Sequence, residues 1–514
     1  MDGFIQRHSE NVIGQLSGFD RVLFRGTPRS ISYADGLGRY MNSQHIWLKD
    51  FDNWAQRCTQ RLAQHIEGVA KAAGRPCLYL PSSSIDKEER ARAIAADDGI
   101  DRGLICVLSC VEPCVSASIH RNAKTCHLEL NFVPRKCKFY YVYLIDPAFG
   151  WMHIRIQSWL PFDVQVYVNG RSYLRQQLDK AGIRYVQNEN SFRRIDDLGK
   201  AQELLDQMIA LNWPKVLGGL LSPWLPSSEE GLLPEGPERY YWTFRQTEVA
   251  TDVLFRDAET LAGIYPRLCR HAIEGLSCQD ILRFMGKSPS RCGGEVTSNY
   301  QRLVQGVRVK HTYAGNSIKM YDKGGSVLRV ETTVNFPSKL RVLRGPLDRP
   351  DQDVQWRQMS KSVADVARRM QVCQAANERY LEAMAVIGED RPAAAVLDPV
   401  SHPIRHQGQR ARALRPIGPD DAALFAAIMD GRHLIVGLTN HDIQAALFPD
   451  PANDPLEMRR RSNCIGRKLR LLRRHGLIHK IGRRRLYRVS EQGRQVMSLA
   501  LAIRQSATLL SKVG

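Results

Sequence analysis

From residue 306 to residue 335 the chain offers three strand-like runs with almost nothing between them, GVRVKHTYAGNSIKMYDKGGSVLRVETTVN. Apolar and β-branched residues alternate with charged ones, and Gly-Gly supplies a tight turn before the last run. Such a stretch has to build antiparallel strands, and strand alternation then sorts its side chains by face. Lys319, Tyr321 and Lys323 share one face of the second run. Arg329 and Glu331 share one face of the third, so a single polar face gathers all five. His311 lies one strand earlier, with Arg308 and Lys310 on the face opposite to it. The face is either a solvated surface or a working one.

The rest of the chain reads as further α/β material. In the first two hundred residues, FDRVLFRG, CLYLP, GLICVLSCVEPC, CHLELNFV, KFYYVYLIDP and WMHIRIQSWLPFDVQVYVNG are strand-like. NWAQRCTQRLAQHIEGVAKAAG, DKEERARAIAADDG and SYLRQQLDKAGIRYV have helical spacing. The expected fold class is α/β (α+β), multidomain. It comprises a mixed-sheet domain over 1–205, a linker or long loop over 206–237, and an α+β domain with a basic sheet face over 238–390. A basic linker over 391–415 and a last domain over 416–514 complete it. At 514 residues the chain is too long for one hydrophobic core.

Charge narrows the partners. Lys and Arg number 73 against 53 Asp and Glu, a net charge of +20, which favours a polyanion, with nucleic acid first and DNA favoured over RNA. No stretch reaches eighteen apolar residues, so no membrane is expected. The opening MDGFIQRHSENVIGQL lacks the apolar run of a secretory leader, and the expected location is cytoplasmic, associated with nucleic acid. The 12 cysteines read as thiols, because Cys106, Cys110 and Cys114 are spaced like no zinc motif and two of them fall in an apolar run. No G-x-x-x-x-G-K-[ST] loop is present, so neither ATP nor a nicotinamide cofactor is expected.

The C-terminal segment has a specific order of elements. DDAALFAAIMDG, LTNHDIQAALFP with Thr439 at its cap, and MRRRSNCIGRKLRLLRRHGL read as three helices. IHKIGRRRLYRVSEQGRQVM then reads as two strands and a final helix, with Leu469, Leu472 and Leu477 facing inward. This order resembles a winged-helix DNA-binding domain. From Arg459 to Arg494 there are fourteen Lys or Arg and one acidic residue, Glu491. The resemblance implies that Arg467, Lys468, Arg470, Arg473 and Arg474 lie on the groove-reading helix and Arg483, Arg484 and Arg485 on the wing. A homodimer on a palindrome is one arrangement such a domain supports. A protein interface is the alternative use of the surface.

The phrases HTYAGNSIKMYDKG and VLRVETTVN resemble a pattern in transfer-type rolling-circle plasmid replication initiators, a Tyr-Asp-Lys strand followed by an Arg-x-Glu strand. The resemblance covers some thirty residues, and the family's separate nucleophilic tyrosine motif is not identified here. A nicking enzyme needs an activated tyrosine, a divalent ion such as Mg²⁺ or Mn²⁺, and a cation near the phosphate. Tyr321, Lys323 and Glu331 are the catalytic candidates, with Tyr240 and Tyr241 as other tyrosines. Glu331 and His311 are candidate ligands, with Glu248 or Asp252 joining them. A second candidate metal set is Asp20, Glu112 and Asp146, at or near strands of the first region. Lys319, Arg329, Arg155 and Arg171 are candidate nucleic-acid contacts. The function expected is that of a DNA-binding replication initiator or nickase-like endonuclease of a mobile element or plasmid. The alternatives are a non-catalytic structured-RNA-binding protein and a transcriptional regulator working through the winged helix.

Overall fold

A computed structural model describes residues 3–226, 239–287, 295–303, 306–344, 355–386, 393–406, 408–430, 433, 437–450, 452, 454–481 and 485–510. The chain forms two compact units. One comprises 13–261 and 297–377, and the other comprises 1–12, 262–296 and 378–514. The architecture is α/β and multidomain, with one large mixed sheet and smaller helical and strand segments.

The first unit is organised by an eleven-stranded sheet. Its strands are β1 (Val12–Pro28), β2 (Cys77–Tyr79), β3 (Gly103–Arg121), β4 (Leu128–Asp146), β5 (Gly150–Gln157) and β6 (Val164–Asn169). A small hairpin, β7 (Tyr185–Asn188) and β8 (Ser191–Ile195), lies outside that sheet. The large sheet continues with β9 (Tyr240–Phe255), β10 (Thr297–Leu303), β11 (Gly306–Tyr313), β12 (Asn316–Lys323) and β13 (Val327–Val334). The order is β10-β11-β12-β13-β9-β1-β6-β5-β4-β3-β2. Each half is largely a meander, β3 to β6 on one side and β10 to β13 on the other, and the halves meet where β1 and β9 are neighbours. The regions that read as separate domains at 1–205 and 238–390 thus share one sheet.

The three runs of 306–335 become β11, β12 and β13, paired antiparallel. Gly324 and Gly325 turn β12 into β13 with φ of +61° and +85°, a region costly for a side chain with a Cβ. Every residue of β13 is buried, including Arg329, Glu331, Thr332 and Thr333. A strand covered on both faces keeps polar side chains only where they find partners. This polar face is therefore an interior one.

Two helices and the β7–β8 hairpin close over the centre. Helix α1 (Gly170–Ala181) starts directly after β6, capped by the Asn169 side chain. Helix α2 (Leu198–Ile209) follows the β7–β8 hairpin, capped by Asp197. Leu16, Leu174, Leu178, Phe192, Leu205, Leu254 and Val327 form their shared apolar core. Gly170 has no room for a side chain, since a Cβ there would stand 1.9 Å from the Phe19 carbonyl oxygen. That close approach seats α1 against β1 one residue before Asp20.

In the second unit the C-terminal module is compatible with a generic winged-helix-like fold. It comprises α3 (Pro419–Ile428), α4 (Asn440–Leu447), α5 (Pro455–Arg474), wing strands Ile478–Lys480 and Tyr487–Val489, and α6 (Glu491–Leu510). Thr439 and Asp442 form a reciprocal capping box at α4, and Asp454 caps α5 with Pro455 behind it. Ile443, Ile465, Leu469, Leu472, Leu477 and Met497 fill the core, as the helical spacing required. The eleven described cysteines are free thiols. No helix among the described residues is long and apolar enough to cross a membrane.

Candidate metal centre

Cross-strand register assembles the site. Lys319 stands opposite Glu331, and Tyr321 opposite Arg329. On the far side of β13, Arg329 faces Asp252 and Thr333 faces Glu248, both on β9. Next to β9 lies β1, which carries Asp20. Asp20, Glu248 and Glu331 are all buried, and each offers an oxygen such that the three lie within 4.8 Å of one another. This triad is able to coordinate a divalent metal. Three carboxylate ligands are hard donors and suit a hard divalent cation better than a thiophilic one.

The immediate partners are cationic or hydroxylic. Lys319 Nζ donates to Glu331 Oε1 at 2.6 Å and to Glu248 Oε1 at 3.1 Å. The Tyr321 hydroxyl donates to Glu331 Oε2. Thr333 Oγ1 lies 3.3 Å from Glu331 Oε1 and 3.4 Å from Glu248 Oε1, so its one proton reaches either carboxylate. Arg21 Nε stands 3.9 Å from Glu248 at the more exposed edge. Beneath the triad lies a second layer. Arg329 donates to Asp252 at 2.5 and 2.8 Å, to Asp20 Oδ1 at 3.1 Å and to the Asn190 carbonyl at 2.7 Å. Arg171 donates to Asp252 Oδ2 at 2.9 Å, and Asn190 Nδ2 to Asp20 Oδ1 at 2.6 Å.

These contacts set the protonation of the site. Burial pushes Glu248 up, and the neighbouring Glu331 pushes it further. Burial also pushes Glu331 up, but Lys319 and the Tyr321 hydroxyl outweigh it and hold the carboxyl below its usual range. Lys319 ends above its ordinary value because Glu331 and Glu248 outweigh its desolvation. Burial, with Glu331 beside it, raises Tyr321 well above the usual phenol range. The layer beneath stays ionised. Asp252 is desolvated, yet Arg171 and Arg329 pull it below the normal carboxylate value.

The triad lies in a cleft of about 730 Å³. Arg92, Arg175 and Trp151 line it on one side, Arg308 and Lys323 on the other, and Tyr167 and Asn169 near the middle strands. The Arg308 Nε is buried there without a hydrogen-bond partner.

The structure brings Tyr321, Lys323, Glu331 and Lys319 together in this cleft, as strand alternation predicts, and adds Asp20. Arg329 and Arg171, expected to touch nucleic acid, have fully buried side chains that hold Asp252. His311 faces away from the triad. It is opposite Ile318, shares a hydrogen bond of 2.7 Å between Nδ1 and the Ser298 hydroxyl, and is lowered to about 4 by burial. Glu112 and Asp146 lie outside the triad. Glu112 sits on β3, bound by Arg155 at 2.7 Å and Tyr141 at 2.8 Å. Arg155 is committed to that pair and to the Phe139 ring, 3.5 Å away. Asp146 accepts the Ala148 and Phe149 amides at 2.7 and 2.9 Å, the ordinary turn role of an Asp before Pro. Arg21 and Asn190 complete the site and carried no local signal, since only their sheet neighbours place them there.

In the second unit Arg467, Arg470 and Arg473 of α5 join Arg485, Asn440, Asn463 and Tyr487 around a separate concavity of about 720 Å³. Lys468 and Arg474 lie on the same helix and are half-buried. Arg483 and Arg484 lie outside the described residues. Comparisons with protein-family models, curated proteins and solved structures return no match. The fold and the site together define a multidomain α/β protein with a buried acidic triad, compatible at a coarse level with nucleic-acid binding or metal-assisted chemistry.

Proposed function

We propose that this chain is a nucleic-acid-processing protein, DNA being the favoured substrate, that cuts a strand at the Asp20–Glu248–Glu331 centre with Tyr321 as the nucleophile. The winged-helix-like module, through Arg467, Arg470, Arg473 and Arg485, holds the substrate. This is the activity of a replication initiator or nickase of a mobile element. One observation carries the reading. The Tyr321 hydroxyl rests on Glu331, a carboxylate that also belongs to the metal-competent triad, in a cleft whose lining sets Arg92, Arg175, Arg308 and Lys323 beside Glu88, Glu189 and Asp322.

The chemistry follows from that contact. Glu331 accepts the phenolic proton as the tyrosine oxygen attacks phosphorus. The bond from phosphorus to the leaving sugar oxygen breaks, and that oxygen takes a proton from solvent. Burial and Glu331 hold the phenol protonated. Asp20, Glu248 and Glu331 would hold a divalent cation, which would supply positive charge beside the phenol and the phosphate. Lys323 stands over the Tyr321 ring, its Nζ 5.6 Å from the ring centre, and lines the same cleft.

The test incubates the purified chain with end-labelled single-stranded DNA, duplex DNA and structured RNA, with Mg²⁺, Mn²⁺ or chelator. The expected result is metal-dependent cutting that leaves label covalently on the protein, abolished by Tyr321→Phe. Salt-steep binding with every substrate intact would replace this reading with that of a non-catalytic binding protein.

A further inference from the structure

The structure points to a role for Lys319 beyond ordinary ion pairing. We propose that its ammonium is the built-in second cation of the centre, so that the triad takes one divalent ion and not two. This rests on the metal-dependent reading given above.

The first argument is position. Sites that use two ions to clamp a phosphodiester hold them about 3.5–4 Å apart, bridged by shared carboxylates. Lys319 Nζ already bridges two of the three carboxylates, at 2.6 Å from Glu331 and 3.1 Å from Glu248. Its side chain is 13% exposed, and its strand position is fixed opposite Glu331 by the β12–β13 register. It is a structural part of the floor and not a surface lysine folded inward.

The second argument is charge. Four carboxylates converge here, those of Asp20, Glu248, Asp252 and Glu331. Three buried cations meet them, Lys319, Arg329 and Arg171, and Arg21 stands 3.9 Å from Glu248 at the exposed edge. The four carboxylates are thus already matched by four cations. A single divalent ion adds two positive charges, which an incoming phosphodiester offsets in part. A second divalent ion would leave a surplus of two further positive charges beside Lys319, at a high cost in a poorly hydrated site. Arg308 lines the cleft above, its Nη2 donating to Gln301 Oε1 at 2.6 Å.

The measurement is Mn²⁺ binding to the full-length chain, followed by the electron paramagnetic resonance of free Mn²⁺, with Asp20→Asn as the reference that removes the site. Wild type is expected to bind one Mn²⁺ that Asp20→Asn does not bind. Lys319→Met, which keeps the stem and removes the charge, is expected to bind Mn²⁺ about tenfold tighter or to take a second ion. Lys319→Arg, with the charge retained, should stay at one. Two ions on wild type would overturn this proposal and leave the metal-dependent reading standing, as would unchanged or weaker binding by a folded Lys319→Met. No Mn²⁺ difference between wild type and Asp20→Asn would overturn both. Should Lys319→Met fail to fold, the wild-type stoichiometry still decides the matter.

Discussion

At the scale of single residues, the site depends on groups that cannot be removed singly without cost. Arg329 is the plainest case, with its side chain fully buried between Asp252 and Asp20. Arg329→Gln leaves two buried carboxylates short of a cation, and breaking such a network costs about 3–5 kcal/mol. Urea unfolding of the variant should show that loss, whereas Lys323→Gln, at the cleft wall, should unfold close to wild type. Two histidines whose desolvation disfavours the charged form, His153 and His311, give a pH signature. Burial lowers both His153 and His311 to about 4, from an ordinary value near 6.5. In the unfolded chain they take up protons as pH falls below about 6.5, while the folded chain does not until about 4. Their contribution to stability is therefore complete above 6.5 and lost progressively between 6.5 and 4. Glu112, held down to about 2 by Arg155 and Tyr141 against its desolvation, extends the loss from about 4.5 to 2. A melting-temperature profile should decline across the first window, and His311→Gln should flatten it. The candidate site was partly legible at this scale. Lys319, Tyr321 and Glu331 emerged from alternation alone, because facing is a local property of a strand. His311 was separable by the same rule, since it points opposite to Arg308 and Lys310.

At the scale of elements, the centre depends on how closely α1 approaches β1. A Cβ at residue 170 would overlap the Phe19 carbonyl oxygen, a backbone atom that cannot rotate away. Gly170→Ala must therefore push α1 or β1 outward, at a cost of about 1–3 kcal/mol. Asp20 follows Phe19, so the same substitution should weaken Mn²⁺ binding without touching a ligand. A variant that loses stability but binds Mn²⁺ normally would show that the approach serves packing alone. In the winged-helix-like module the order of the elements was readable, although α5 spans Pro455–Arg474, three residues ahead of the run that read as that helix. Thr439 with Asp442, Asp454 with Pro455, and the leucines of α5 are local signals, and short connections leave few ways to pack them. The large sheet was harder, because each strand was visible but nothing within a strand names its neighbour.

At the scale of the whole molecule, two regions divide the proposed work, the cleft around the triad and the arginine-lined concavity of the C-terminal module. If α5 carries the substrate through its arginines, each neutralised arginine among 467, 470 and 473 should lower the slope of log affinity against log salt by about 0.9 on duplex DNA. The same substitutions should leave Mn²⁺ binding unchanged. The candidate metal centre was least legible here. Asp20 and Glu331 stood in two separate proposals, one for each end of the sheet, and Glu248 was a secondary choice. They converge only because β1 and β9 are neighbours, a long-range fact that no local pattern encodes. That adjacency has a temporal side. Asp20 and Glu331 are 311 residues apart in the chain. A ribosome adding about 5–20 residues per second makes the first long before the last, so tens of seconds pass with β1 present and β13 not yet made. Throughout that interval the nascent protein has no complete triad. The acidic centre is assembled once, after the final strand of the meander has left the ribosome, and a fragment cut anywhere between β1 and β13 never acquires it.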